Sequence, residues 1–242
     1  MNRILSSALA VLAGVFLALT ADCEKAAAQE PESPLEVKAN LDLPIDAGGE
    51  SEEEAASPET VIFYGEMYEG LAFVFCCQKQ EACDGGDTFR RIRKELLRTL
   101  SGLSERAEFG IVFFDERVRT FPSRGRLVEA RDESKKSASD WAMSQSAGFN
   151  SCTKAGLLES LFMAARSSAR QKVIILVSDG LSICAGSDAK TYERQTLAEV
   201  RGRNTERVAI HTVGVGVAHP VNEPFLKRLA AENQGTYRRA PK

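Results

Sequence analysis

Val173-Ile174-Ile175-Leu176-Val177-Ser178-Asp179-Gly180 (VIILVSDG) is apolar at five consecutive positions and then turns abruptly polar. A strand with one face in water alternates apolar and polar residues, so an unbroken run predicts a strand covered on both faces. Two further runs read the same way: Leu71-Ala72-Phe73-Val74-Phe75-Cys76-Cys77, and Phe109 to Phe114 (FGIVFF). Between them Phe89, Ile92, Leu96, Leu97 and Leu100 recur at helical spacing, with Arg and Lys on the opposite side. Leu157, Leu158, Leu161, Phe162 and Ala165 predict a helix before VIILVSDG, and Trp141 and Met143 a short one before that. Downstream follow a polar helix over 190–203, a β-branched strand over Val208–Val217, and a helix through Phe225, Leu226 and Leu229. Gly235 stops that helix, and Tyr237 lies in a closing strand. Val118–Phe121 reads as a short edge strand. Buried strands alternating with amphipathic helices predict an α/β fold: a doubly wound, mostly parallel sheet with helices on both faces.

Outside this body the composition changes. Arg3 precedes an apolar run from Ile4 to Ala21. Such a run is expected of a secretory signal peptide over residues 1–28, with Ala26-Ala27-Ala28 as the cleavage site and Leu19-Thr20-Ala21 as the alternative. A retained anchor and lipid attachment at Cys23 remain the other readings. Residues 29–59 hold ten acids against one base (Lys38), four prolines and few large apolar side chains. They are expected to be a disordered acidic linker, because they cannot bury enough surface to offset ordering entropy; a docking tail for a basic partner, the body itself included, is the other reading. Residues 60–242 carry 28 bases and 22 acids. The fractions of hydrophobic (43%) and charged (27%) residues exclude collagen-like, wholly disordered and multi-span membrane classes. A net charge of -3 argues against a nucleic-acid binder. The expected location is periplasmic or extracellular, with no membrane span once the leader is removed.

In doubly wound sheets ligands bind beyond the carboxyl ends of the strands. The residues there are poor in catalytic signals. Gly214 and Gly216 lack the third glycine of a dinucleotide fingerprint, and no phosphate-cradling G-x-x-x-x-G-K-[ST] occurs. Ser178 is not in a G-x-S-x-G elbow. Of the two histidines, His211 lies inside a strand and His219 in a loop, which leaves little for a triad or a zinc site. The expectation is a protein without enzymatic activity.

From Phe63 to Arg238 the sequence resembles a von Willebrand factor type A domain. The resemblance rests on FYGEMYEG leading into the first strand, FGIVFFDERVRTFP, the helix opening Cys152-Thr153-Lys154-Ala155-Gly156, VIILVSDG, and PFLKRLAAENQGTYRR. It implies a protein-interaction module, often built around a metal-ion-dependent adhesion site. That site begins with D-x-S-x-S after the first strand and is completed by a threonine and an aspartate from later loops. Thr153 and Asp179 fall on the last two positions. The first element is missing: it reads Cys76, Gln78, Gln80 in one register and Cys77, Lys79, Glu81 in the other. Thiols and neutral amides suit hard Mg²⁺ poorly. The resemblance therefore implies a degenerate site with no cofactor and an unspecified protein partner. The alternatives are a weak Mg²⁺ site around Thr153 and Asp179, or a thiol site for soft metal or redox chemistry.

With the leader removed, Cys76, Cys77, Cys83, Cys152 and Cys184 all fall around that one crevice. Cys83, Cys152 and Cys184 lie in loops, and in an exported protein at least one disulfide is expected among them, joining Cys152 or Cys83 to Cys184. The unpaired thiol is then Cys76 or Cys77, buried within the strand.

Overall fold

The computed structural model describes residues 57–80, 87–181, 184, 188–216 and 220–241. The leader, most of the acidic stretch, Cys83 and His219 therefore lie outside the described residues. In chain order the elements are β1 (Glu59–Phe63), β2 (Glu66–Gly70), β3 (Ala72–Gln78), α1 (Asp87–Gly102), β4 (Glu108–Phe114), β5 (Val118–Phe121) and β6 (Val128–Glu129). There follow α2 (Asp132–Ser144), α3 (Thr153–Ala165), β7 (Lys172–Ser178), α4 (Ala189–Arg203), β8 (Ala209–Gly214), α5 (Glu223–Glu232) and β9 (Tyr237–Arg239).

The three all-apolar runs form the middle of the main sheet, whose order is β5-β4-β3-β7-β8-β9, with β6 also beside β4. β3 pairs in parallel with β4 and β7, and the parallel set continues through β8 to β9. β5 and β6 run antiparallel on β4. Both faces are covered, as the unbroken apolar runs require. Phe75, Cys77, Phe113 and Val177 point into the core under α1 and α2. Cys76, Phe114, Leu176 and Val112 point into the core under α3, α4 and α5. From β3 the chain crosses first to β4 and later returns to β7 on the other side. The switch point, where such sheets open a crevice, thus falls between the carboxyl ends of β3 and β7.

One element differs from the expectation. FYGEMYEG does not simply lead into a strand; it is the turn and second arm of a β1–β2 hairpin that forms its own two-stranded sheet. The two-residue turn has φ 52° at Tyr64 and 77° at Gly65. Positive φ at both central residues is the type I′ pattern that matches strand twist, and Gly65 takes it without steric cost. Val61, Phe63 and Tyr68 face inward on the α1–α2 side of the sheet, where Phe63 meets Phe75 edge-on. Thr99 Oγ1 donates to the Ile62 carbonyl (2.9 Å), and the Tyr64 N–H donates to Glu95 Oε1 (2.9 Å), which fastens the hairpin to α1. Polarity does not mark this alternation in the sequence, because the outward-facing Ile62 and Met67 are apolar as well. α2 is also longer than expected, at 13 residues.

His211 is half-buried on β8, edge-on to the Tyr68 ring. Its Nδ1 accepts the Thr236 N–H (3.1 Å), a bond that requires the unprotonated nitrogen. Burial pushes its pKa below the ordinary histidine value. The folded state therefore binds fewer protons than the unfolded chain as pH falls through about 6.5, so stability declines on that side. Urea midpoints are expected to fall from pH 7 to pH 5.5, and His211→Asn is expected to flatten that slope.

Candidate functional site

β3 ends at Gln78 and β7 at Ser178, and these ends meet at the switch point. The Gln78 amide is fully used there. Its Oε1 accepts from Ser178 Oγ (2.6 Å) and from the Asp179 N–H (3.1 Å). Its Nε2 donates to Gln80 Oε1 (2.7 Å) and to Asp179 Oδ2 (3.2 Å). An amide offers two donors and two acceptor lone pairs, so this network leaves it satisfied in a site that is only 4% exposed. Asp179 Oδ1 accepts the Leu181 N–H (2.8 Å), the side-chain turn that aspartate favours. Gly180 follows with φ 72°, and the Asn222 N–H donates to the Asp179 carbonyl (2.8 Å).

Thr153 opens α3 and is fully buried, with Ser151 Oγ 3.5 Å from its Oγ1. Between them Cys152 forms a disulfide with Cys184, across 32 residues, with Cα atoms 4.9 Å apart. Of the two pairings left open by the sequence, this is the one present. It ties the start of α3 to the loop following Asp179.

A buried ion pair borders the crevice, and the sequence reading missed it. Lys79 Nζ lies 2.6 Å from Asp115 Oδ2, and both residues are 8% exposed. Lys79 Nζ also donates to the Ser146 carbonyl (3.1 Å), and Asp115 Oδ1 accepts the Arg117 N–H (2.7 Å). Such a pair holds together only when its remaining groups are bonded, as they are here. Gly148 packs against it so closely that a Cβ there would lie 2.2 Å from Asp115 Oδ2. The usable signal was an aspartate ending an all-apolar strand, FGIVFFD, with a lysine after another.

One expectation needs correction. Cys76 and Cys77 do not face the crevice: both are fully buried within β3, one in each core layer. Burial pushes the Cys76 thiol up to about 12, against the lowering effect of a Ser160 hydrogen bond, and pushes Cys77 up as well. Neither thiol is poised to become a thiolate. Of the first register, Gln78 and Gln80 lie at the crevice and Cys76 does not, for Gln78 is the residue that meets Asp179; of the second, Lys79 is taken up by Asp115 and Glu81 lies outside the described residues. Gln80 does reach the crevice, bridged to Gly148.

A von Willebrand factor type A domain profile matches residues 81–239. Among solved structures, the chain is similar to a von Willebrand factor type A protein from Catenulispora acidiphila, with 16% identity and a TM-score of 0.63, over 78% of this chain and 47% of that one. The chain thus spans about half the length of that protein. It is similar also to the pilus adhesin SpaC of Lactobacillus rhamnosus GG, with 13% identity and a TM-score of 0.57, over 72% of this chain and 28% of that one. A third similar structure is the PilB minor pilin of Streptococcus sanguinis, with 11% identity and a TM-score of 0.54, over 75% of this chain and 57% of that one. At these identities the likeness is one of fold. No curated protein matches the chain.

Two measurements probe the crevice. Asp179→Ala strands the Gln78 Nε2 and Leu181 N–H donors, and is expected to cost about 1–3 kcal/mol of stability even in chelator. Replacing Cys152 and Cys184 together by serine is expected to cost roughly 2–4 kcal/mol, read from denaturant midpoints at constant slope.

Proposed function

Because the chain belongs to the von Willebrand factor type A family, we propose that it is an exported, non-enzymatic protein-interaction module whose crevice works without a divalent cation. The observation that carries this reading is the Gln78 amide. Where a hard cation would need hydroxyls and carboxylates converging on one point, Gln78 presents an N–H donor to Asp179 instead. Its carbonyl oxygen is already committed to Ser178 and the Asp179 backbone. Asp179 in turn uses both carboxylate oxygens on protein donors. Among the described residues no group of three or more His, Cys, Asp or Glu is arranged to hold a metal. This donor set does not fit Mg²⁺.

Export is supported by the leader-like residues 1–28 and by the Cys152–Cys184 disulfide, a bond that persists in oxidising compartments. Among the described residues no helix is long and apolar enough to cross a membrane. Protein recognition is supported by the fold shared with a pilus adhesin and a minor pilin. Among the described residues the crevice holds a satisfied amide network and a buried ion pair, with no nucleophile hydrogen-bonded to a base.

Thermal unfolding with millimolar Mg²⁺, Mn²⁺ or Zn²⁺, against chelator, tests the reading. The melting temperature is expected not to move, and capture of a partner from the exported fraction is expected to proceed equally in chelator. A rise with Mg²⁺ or Mn²⁺ would replace this reading by the weak divalent site at Thr153 and Asp179. Tight Zn²⁺ binding that protects thiols from alkylation would replace it by the thiol site.

A further inference from the structure

On the flank of the domain, away from the crevice, α1 borders an open groove of about 560 Å³. Arg91, Lys94, Glu95 and Arg98 line it from the helix, Tyr64 and Gly65 from the hairpin turn, and Arg238 and Pro241 from the end of the chain. Residues 91, 94 and 98 recur at the spacing that puts side chains on one helix face. They spread charge along about 10 Å at 1.5 Å per residue.

The groove is electropositive because its acids are outnumbered and already engaged. Glu66 pairs with Arg238. Glu95 accepts the Tyr64 N–H and lies 3.5 Å from Arg98. Arg91 donates to the Pro241 carbonyl (3.1 Å). Among the described residues Lys94 joins no ion pair, and Arg238 Nε is buried with no hydrogen-bond partner. Four cations from two elements thus face two carboxylates, and the exposed Lys94 is left without an ion pair among the described residues.

We propose that this groove binds a carboxylate-rich segment of another polypeptide. An extended chain advances about 3.3 Å per residue, so acids spaced over three or four residues span the row of cations on α1. Guanidinium groups take carboxylates through paired hydrogen bonds, and Tyr64 with Pro241 gives the peptide an apolar floor. The site is distinct from the crevice and does not depend on how the crevice works. Since Lys94 and Arg98 are exposed, each contact is individually weak and screened by salt, and binding comes from their number.

Fluorescence anisotropy of labelled hexaglutamate against the full chain at low ionic strength tests this, with hexaglutamine as control. Saturable binding of hexaglutamate alone is expected, weakening as salt is added. Lys94→Glu combined with Arg98→Glu is expected to weaken it about tenfold while leaving the melting temperature unchanged. Should the double variant unfold, Lys94→Glu alone is expected to weaken binding several-fold. No saturable binding, equal binding of hexaglutamine, or equal binding by a folded variant would overturn the proposal. Tripolyphosphate displacing the peptide at lower concentration than free hexaglutamate would overturn it too, by assigning the groove to phosphate.

Discussion

The parallel pairing of β3 with β7 is the constraint on which the rest depends. Both strands are buried along nearly their whole length, on both faces, so neither can slip by one residue without moving a whole set of apolar side chains to the wrong layer. The register that results puts Cys76 opposite Leu176 and Cys77 opposite Val177. It follows that the first polar side chains after each apolar run, Gln78 and Ser178, come out side by side. The crevice is where two buried strands stop, and its chemistry is set by which residues stop them.

At that point the chain places an amide in contact with a carboxylate. A glutamine is suited to this because one end of it accepts and the other donates. It bonds the Asp179 backbone with its oxygen and the Asp179 side chain with its nitrogen, and so fixes the start of the loop after β7. The neighbouring crevice wall is fixed by other means. Lys79 and Asp115 neutralise each other below the surface, and the disulfide holds the start of α3 against the loop after Asp179. Buried polarity is thus concentrated at one end of the sheet.

The surface around this scaffold is uneven. The hairpin covers part of the α1 side of the sheet and places its turn against α1, and that contact creates the cationic groove. The exposed faces of the hairpin, Ile62 opposite Met67, and the exposed Phe149 beside the ion pair add scattered apolar contacts. Charge and apolar exposure therefore lie on loops and flanks, where they can vary without disturbing the strands.

Periodicity alone determined the central strands, the helices between them and the end at which the crevice opens, because burial on both faces leaves a short continuous apolar signature followed by an amphipathic helix. Cysteine placement in loops narrowed the disulfide to two pairings that share Cys184. Tertiary structure decided what depends on register and on contacts between distant segments. An all-apolar strand carries no mark of which residue ends it, so only pairing with β7 placed Gln78, and not Cys76 or Cys77, against Asp179. The Lys79–Asp115 pair joins the ends of two strands 36 residues apart, and the charge that ends each apolar run does not say which partner it meets. The hairpin was not legible, because its outward-facing Ile62 and Met67 are apolar and hide the alternation of its faces. Nor was its place against α1, since that follows from the shape of the core it closes.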